Sequence, residues 1–145
     1  MKWTAEAIDK LRQYEAKKQA IRSIPEEIKS LEAAAQGIRS ATSDGTPVSG
    51  GGSRREDMLL KNIILREELG LTCKLAQDWV KRVEGGLSVL TAEERLVLER
   101  FFIHPEKNVA DRLAGDLHLD VKTVYRRREQ AVHKFTTALY GCVES

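Results

Sequence analysis

Proline, cysteine and aromatic residues are scarce in this chain: 145 residues include three prolines, two cysteines, three phenylalanines, three tyrosines and two tryptophans. So little proline leaves room for long uninterrupted helices. Cys73 and Cys142 lie far apart without a Cys-x-x-Cys spacing and without a histidine at ligand spacing, which reads each as a small apolar residue. His104, His118 and His133 are equally scattered, whereas a zinc site needs three or four convergent donors, so no metal site is expected. No apolar run approaches the ~18 residues of a membrane span, and Met1-Lys2-Trp3-Thr4 lacks a signal-peptide core. A cytoplasmic protein without a membrane partner is expected. No Gly-x-x-x-x-Gly-Lys loop, no nucleophile framed by a histidine and no paired-acid site stands out, so no catalytic residue, no cofactor and no enzyme activity is predicted.

What is present is charge and helical periodicity. Charged residues make up 32% and hydrophobic residues 41%, with a net charge of only +2, a balance that suits a soluble, helix-rich protein. From Trp3 to about Arg39 the apolar residues Ile8, Leu11, Tyr14, Ile21, Ile24, Ile28, Leu31, Ala35 and Ile38 recur at spacings of three, four and seven. That is a narrow seam suited to one partner helix, with a kink or break expected at Pro25. Residues 40–53 are almost all turn formers and predict a flexible linker; the Gly50-Gly51-Gly52 run has neither the preceding strand nor the lysine of a phosphate loop. A second helix is predicted from about Arg54 to Glu84, with Met58, Leu59, Ile63, Leu69, Leu75, Trp79, Val80 and Val83 on one stripe and Gly85-Gly86 as its stop. Two long helices joined by a linker suggest a hairpin or coiled coil.

The C-terminal part, from 87 on, is built differently. Thr91 and Glu94 have the spacing of a capping box, opening a helix whose packing side is supplied by Leu96, Val97, Leu98, Phe101, Phe102 and Ile103. A shorter helix follows from about Asn108 to Leu117, carrying Val109, Ala110, Leu113 and Ala114 inward. After a break at His118-Leu119-Asp120, Asp120 caps a last helix beginning at Val121. Val124, Ala131, Phe135 and Ala138 share its inner face. Between Val121 and Lys134 the five cations Lys122, Arg126, Arg127, Arg128 and Lys134 outweigh the single anion Glu129, giving this helix +4. From Thr91 to Asp120 four cations face seven anions, a balance of −3. Positive charge focused on one helix after a tight turn is an electrostatic footprint for nucleic acid. Small three-helix domains are marginal, so 79–90 is expected to lend apolar surface.

Leu90-Thr91-Ala92-Glu93-Glu94-Arg95-Leu96-Val97-Leu98, then Val109-Ala110-Asp111-Arg112-Leu113, then Asp120-Val121-Lys122-Thr123-Val124-Tyr125-Arg126, resembles region four of bacterial sigma factors. That module pairs a helix opening Leu-x-x-x-Glu-Arg with a helix-turn-helix. The whole layout resembles the small phage- and prophage-encoded transcriptional regulators of the ArpU and RinA late-gene activator type. The fold so implied is all-α, a long helical hairpin followed by a three-helix helix-turn-helix domain. By this resemblance Lys122, Thr123, Tyr125 and Arg126 face a major groove. Asp120 departs from the serine usual there, which argues against a phosphate contact from that side chain. The charge pattern assigns guanine edges to Lys122 and Arg126, a methyl or phosphate contact to Thr123, and phosphates to Arg127, Arg128 and Lys134, while Tyr125 is expected either to contact a sugar or thymine or to be a packed aromatic. The expected function is sequence-specific binding of double-stranded DNA and transcriptional regulation. RNA polymerase and a second copy, paired through the N-terminal helices, are the further candidate partners. A small terminase subunit, or a protein that only docks on polymerase, are the alternatives.

Overall fold

The computed structural model describes residues 2–40 and 51–144, with the backbone alone for 51–53. Among the described residues the chain is all-helical: α1 (Trp3–Ser40), α2 (Gly51–Ser88), α3 (Ala92–Leu98), α4 (Val109–Leu117) and α5 (Val121–Tyr140), with a π-helical turn Glu99–Ile103 extending α3. The one extended feature is an isolated bridge between Lys2 and Glu144. The bulk of the expected linker, 41–50, lies outside the described residues, but Ser40 ends α1 and 51–53 begin α2, so its two ends are helical. No break occurs at Pro25, and α1 runs through it. The ring lies on an exposed face, where forfeiting one amide bond costs least.

Two compact units are formed, Lys18–Gln77 on one hand and Met1–Lys17 with Asp78–Ser145 on the other. The second unit therefore draws on both ends of the chain rather than starting at 87. In the Lys18–Gln77 unit the seam residues Ile21, Ile24, Ile28, Leu31 and Ile38 of α1 are all at least half-buried. Among its described residues, burial is near complete only at Ala35, Asn62, Cys73 and Ala76. Asn62 is satisfied on both sides: its amide donates to the Leu31 carbonyl at 2.8 Å, and its Oδ1 accepts from Arg66 Nε at 2.8 Å. Met58 and Leu75, placed on the packing stripe of α2 by periodicity, are instead exposed.

The other unit has a deep core. Leu11, Val83, Leu98, Leu113, Val124 and Phe135 are fully buried. Val97, Ala110, Leu113 and Val124 form one cluster, closed by Leu96, Phe101, Val109, Ala114, Leu117 and Leu119. Val80, Val83 and Leu90 join the buried set, so the end of α2 does lend apolar surface. Tyr14 donates to Glu84 Oε2 at 2.9 Å, and burial, reinforced by that carboxylate, pushes its pKa up to about 12.

Gly85-Gly86 does not stop α2, which continues to Ser88. Gly86 is instead a point of close approach. A Cβ built there meets Phe135 Cε2 at 2.8 Å and Leu139 Cδ2 at 3.0 Å, so only glycine admits the α5 aromatic. This contact also explains the inner face of α5. Val124, Ala131 and Phe135 share that face and are buried, Val132 and Thr136 widen it, and Ala138 is exposed. Trp3 stacks on Tyr140 at 4.8 Å, and the Trp3 amide donates to the Val143 carbonyl at 2.9 Å, so the start of α1 packs on the C-terminal end of α5.

Candidate nucleic-acid interface

The basic helix is placed by local signals that the sequence states directly. Thr91 Oγ1 accepts from the Glu94 amide at 3.2 Å while Glu94 Oε1 accepts from the Thr91 amide at 2.8 Å, the reciprocal box that starts α3. Asn108 and His118, both with positive φ, bracket α4 and turn the chain sharply at each end. The Leu119 amide then closes back on the Ala114 carbonyl at 2.9 Å. Asp120 Oδ1 accepts from the Thr123 amide at 3.0 Å and opens α5. The Thr123 side chain and amide, with a smaller contribution from Arg126, hold the Asp120 carboxyl below its ordinary range, so a full negative charge sits at the positive end of the helix.

A charged clamp fixes α4 against the π-helical turn. Arg100, with a side chain only 16% exposed, forms a fork on Glu106 at 3.0 and 3.1 Å and also reaches Asp116. That fork depresses the Glu106 pKa, with a further contribution from Arg112, and raises that of Arg100. The C-terminal end of α5 is closed by Gly141 in the left-handed region (φ 77°), whose amide donates to the Thr137 carbonyl at 2.8 Å.

Within this frame the seven predicted contact residues separate into three groups. Lys122 and Arg126 stand one turn apart on the exposed face of α5 and make no ion pair among the described residues. Thr123 lies beside them, half-buried and engaged with the Asp120 cap. Tyr125 and Arg128 form a stack: the Arg128 guanidinium lies 4.9 Å from the Tyr125 ring and 5.0 Å from Phe101, and the two rings are 6.0 Å apart. Tyr125 keeps 43% exposure. Tyr125 thus takes the packed aromatic arrangement, with Arg128 half-buried against it.

Arg127 and Lys134 form the third group, and they are not free. Arg127 Nη1 pairs with Glu93 Oε1 at 2.9 Å, and Lys134 Nζ with Glu94 Oε1 at 3.1 Å, although both cations remain nearly half exposed. The Thr91 amide first, then Lys134, keeps the Glu94 carboxylate ionised below its usual range. The acidic start of α3 thus neutralises the flank of α5 that faces it. Gln130 and His133, not singled out by the charge count, are exposed at the i+4 and i+7 positions from Arg126 and extend the same outward stripe. Helical spacing alone could have found them.

No cluster of three or more metal-ligating side chains occurs among the described residues, and no helix there is long and apolar enough to cross a membrane. Comparison with protein-family models, with curated proteins and with solved structures finds no match to this chain in any of the three.

Proposed function

We propose that α4, the break at His118-Leu119-Asp120 and α5 act as a helix-turn-helix, and that α5 reads the major groove of double-stranded DNA in a transcriptional regulator of the phage late-gene activator kind. The observation that carries this reading is the pair Lys122 and Arg126, two exposed cations without ion-pair partners among the described residues, one turn apart at the start of a capped helix. A major groove about 12 Å wide admits a helix, and its guanine edges offer two acceptors to each cation. Gln130 stands one turn further along, where an adenine edge or a phosphate is in reach. The supporting α3 and α4, locked by the Arg100 fork, hold that face rigidly outward.

The pairing of Arg127 with Glu93 and of Lys134 with Glu94 alters the energetics of this reading. A phosphate must compete with a carboxylate already in place for each of those cations. Binding therefore depends on Lys122 and Arg126, with Arg128 contributing from its aromatic stack. Three cations brought against the duplex in place of five give a slope of log K on log salt of roughly −2 to −3, shallower than the roughly −4 of an unpaired basic helix.

Fluorescence anisotropy with a mixed-sequence duplex tests the reading. Lys122→Glu with Arg126→Glu lowers affinity by about 100-fold or more if these two residues face the groove. Undiminished binding by that variant overturns the assignment and favours the polymerase-docking alternative.

A further inference from the structure

Helix α2 carries an apolar stripe that no described residue covers. Leu60, Ile64, Leu71 and Leu75 are 56%, 45%, 61% and 60% exposed. At about 100° per residue they share one narrow face, directly opposite the face bearing buried Asn62, Cys73 and Ala76. Leu60 and Leu71, like Ile64 and Leu75, are eleven residues apart, so the stripe stays nearly straight over about 22 Å of helix. Scattered exposed leucines need no explanation, but a contiguous row along one helix does. All four belong to the Lys18–Gln77 unit, where buried side chains are few and small.

We infer that this stripe is a homodimer seam on which a second copy of the chain pairs its own α2. The flanks argue for a copy rather than a polyanion or a membrane. Lys61 and Glu68 line one edge of the stripe and Glu67 and Lys74 the other, so the edges carry no net charge. In a parallel two-fold Glu68 meets Glu67 of the copy at nearly the same height, with Lys61 and Lys74 about six residues further along. An antiparallel two-fold sets Glu68 against Glu68 and Glu67 against Glu67 in the same way, so either pairing brings carboxylates together at the middle of the seam and keeps it weak.

The area also fits. Roughly half-exposed, the four aliphatic side chains offer on the order of 300 Å² per copy, and the stems of the four flanking charged residues add apolar cover. A symmetric pair then buries roughly 1,000 Å² or a little more, the lower edge of specific interfaces. A dimer of about micromolar affinity is the result, populated at moderate concentration and reinforced when both copies hold one DNA. The seam is independent of the DNA reading, because it rests on α2 alone.

Sedimentation equilibrium on the full chain, from about 1 to about 200 µM and without DNA, tests the seam. A monomer–dimer equilibrium is expected, and Ile64→Lys with Leu71→Lys weakens it by at least about 100-fold with far-UV helicity unchanged. A charge removal keeps the test decisive if that variant loses helicity. Glu67→Gln with Glu68→Gln tightens the dimer several-fold, because it removes the carboxylates that meet at the middle of the seam in either arrangement. Wild-type protein that stays monomeric, a dimer indifferent to the substitutions, or a charge removal that leaves the dimer no tighter each overturns the proposal. A dimer that binds no DNA sinks the functional reading alone, and a DNA-binding monomer sinks the seam alone.

Discussion

The two compact units share α1 and α2, only one of them adds α3, α4 and α5, and they are stabilised very differently. In Met1–Lys17 with Asp78–Ser145, large side chains such as Leu11, Leu98, Leu113 and Phe135 are fully buried. Among the described residues of Lys18–Gln77, near-complete burial falls to two alanines, a cysteine and an asparagine, while leucines of α2 face outward. Helix propensity and one narrow seam carry the latter unit; packing in three dimensions carries the former. The difference teaches where function is to be sought. The well-packed unit sets its basic helix on a buried core, and the thin unit leaves leucines of α2 exposed.

The comparison breaks most visibly at Phe135. Phe135→Ala costs about 3–5 kcal/mol and should collapse hydrogen-exchange protection across α3 to α5 while leaving the amides of 18–77 little changed. Equal loss in both units contradicts their division. At Gly86 the opposite insult applies, since a methyl group lands on the Phe135 ring. Gly86→Ala is expected to cost about 1–3 kcal/mol by overpacking, read as a lowered thermal midpoint, although alanine is the better helix former. A rise in the midpoint contradicts the close approach.

In the thin unit the equivalent site is Asn62. Asn62→Ala removes the bond to the Leu31 carbonyl and costs about 1–2 kcal/mol, seen as faster exchange in 18–77 with α3 to α5 unaffected. Acid acts on the packed unit and by a smaller amount. Glu94, Glu106 and Asp120 all have depressed folded-state pKa values, so their contribution is fully present above the ordinary carboxylate range near pH 4. It fades as pH falls through the folded values. The thermal midpoint of α3 to α5 should therefore drop on acidification below about pH 4; a midpoint that stays flat down to about pH 2 contradicts the caps and the Arg100 fork.

What was legible in the sequence was what is local. Thr91 with Glu94, and Asp120 with Thr123, are bonds across three residues, and their spacing announces them. The α1 seam was readable because one partner helix imposes one period. Gly85-Gly86 was misread as a stop because a glycine's role depends on what approaches it, and Phe135 is 49 positions away. The exposed row on α2 is not legible because periodicity marks apolar stripes without saying which of them a neighbour covers. Arg127 and Lys134 looked free because their carboxylate partners are 34 and 40 positions distant along the chain. Charge counting sees the sum of a helix; only the crossing of α3 with α5 decides which cations are already paired.

That division of the cations is most directly measured by the salt dependence of duplex affinity in wild-type protein and in Glu93→Gln with Glu94→Gln, a change that keeps the capping box because glutamine serves there as well. The account predicts a wild-type slope of roughly −2 to −3 that steepens toward roughly −4 in the variant, with affinity rising several-fold at low salt. A wild-type slope already near −4 and unmoved by the substitutions, or binding without any salt dependence, contradicts it.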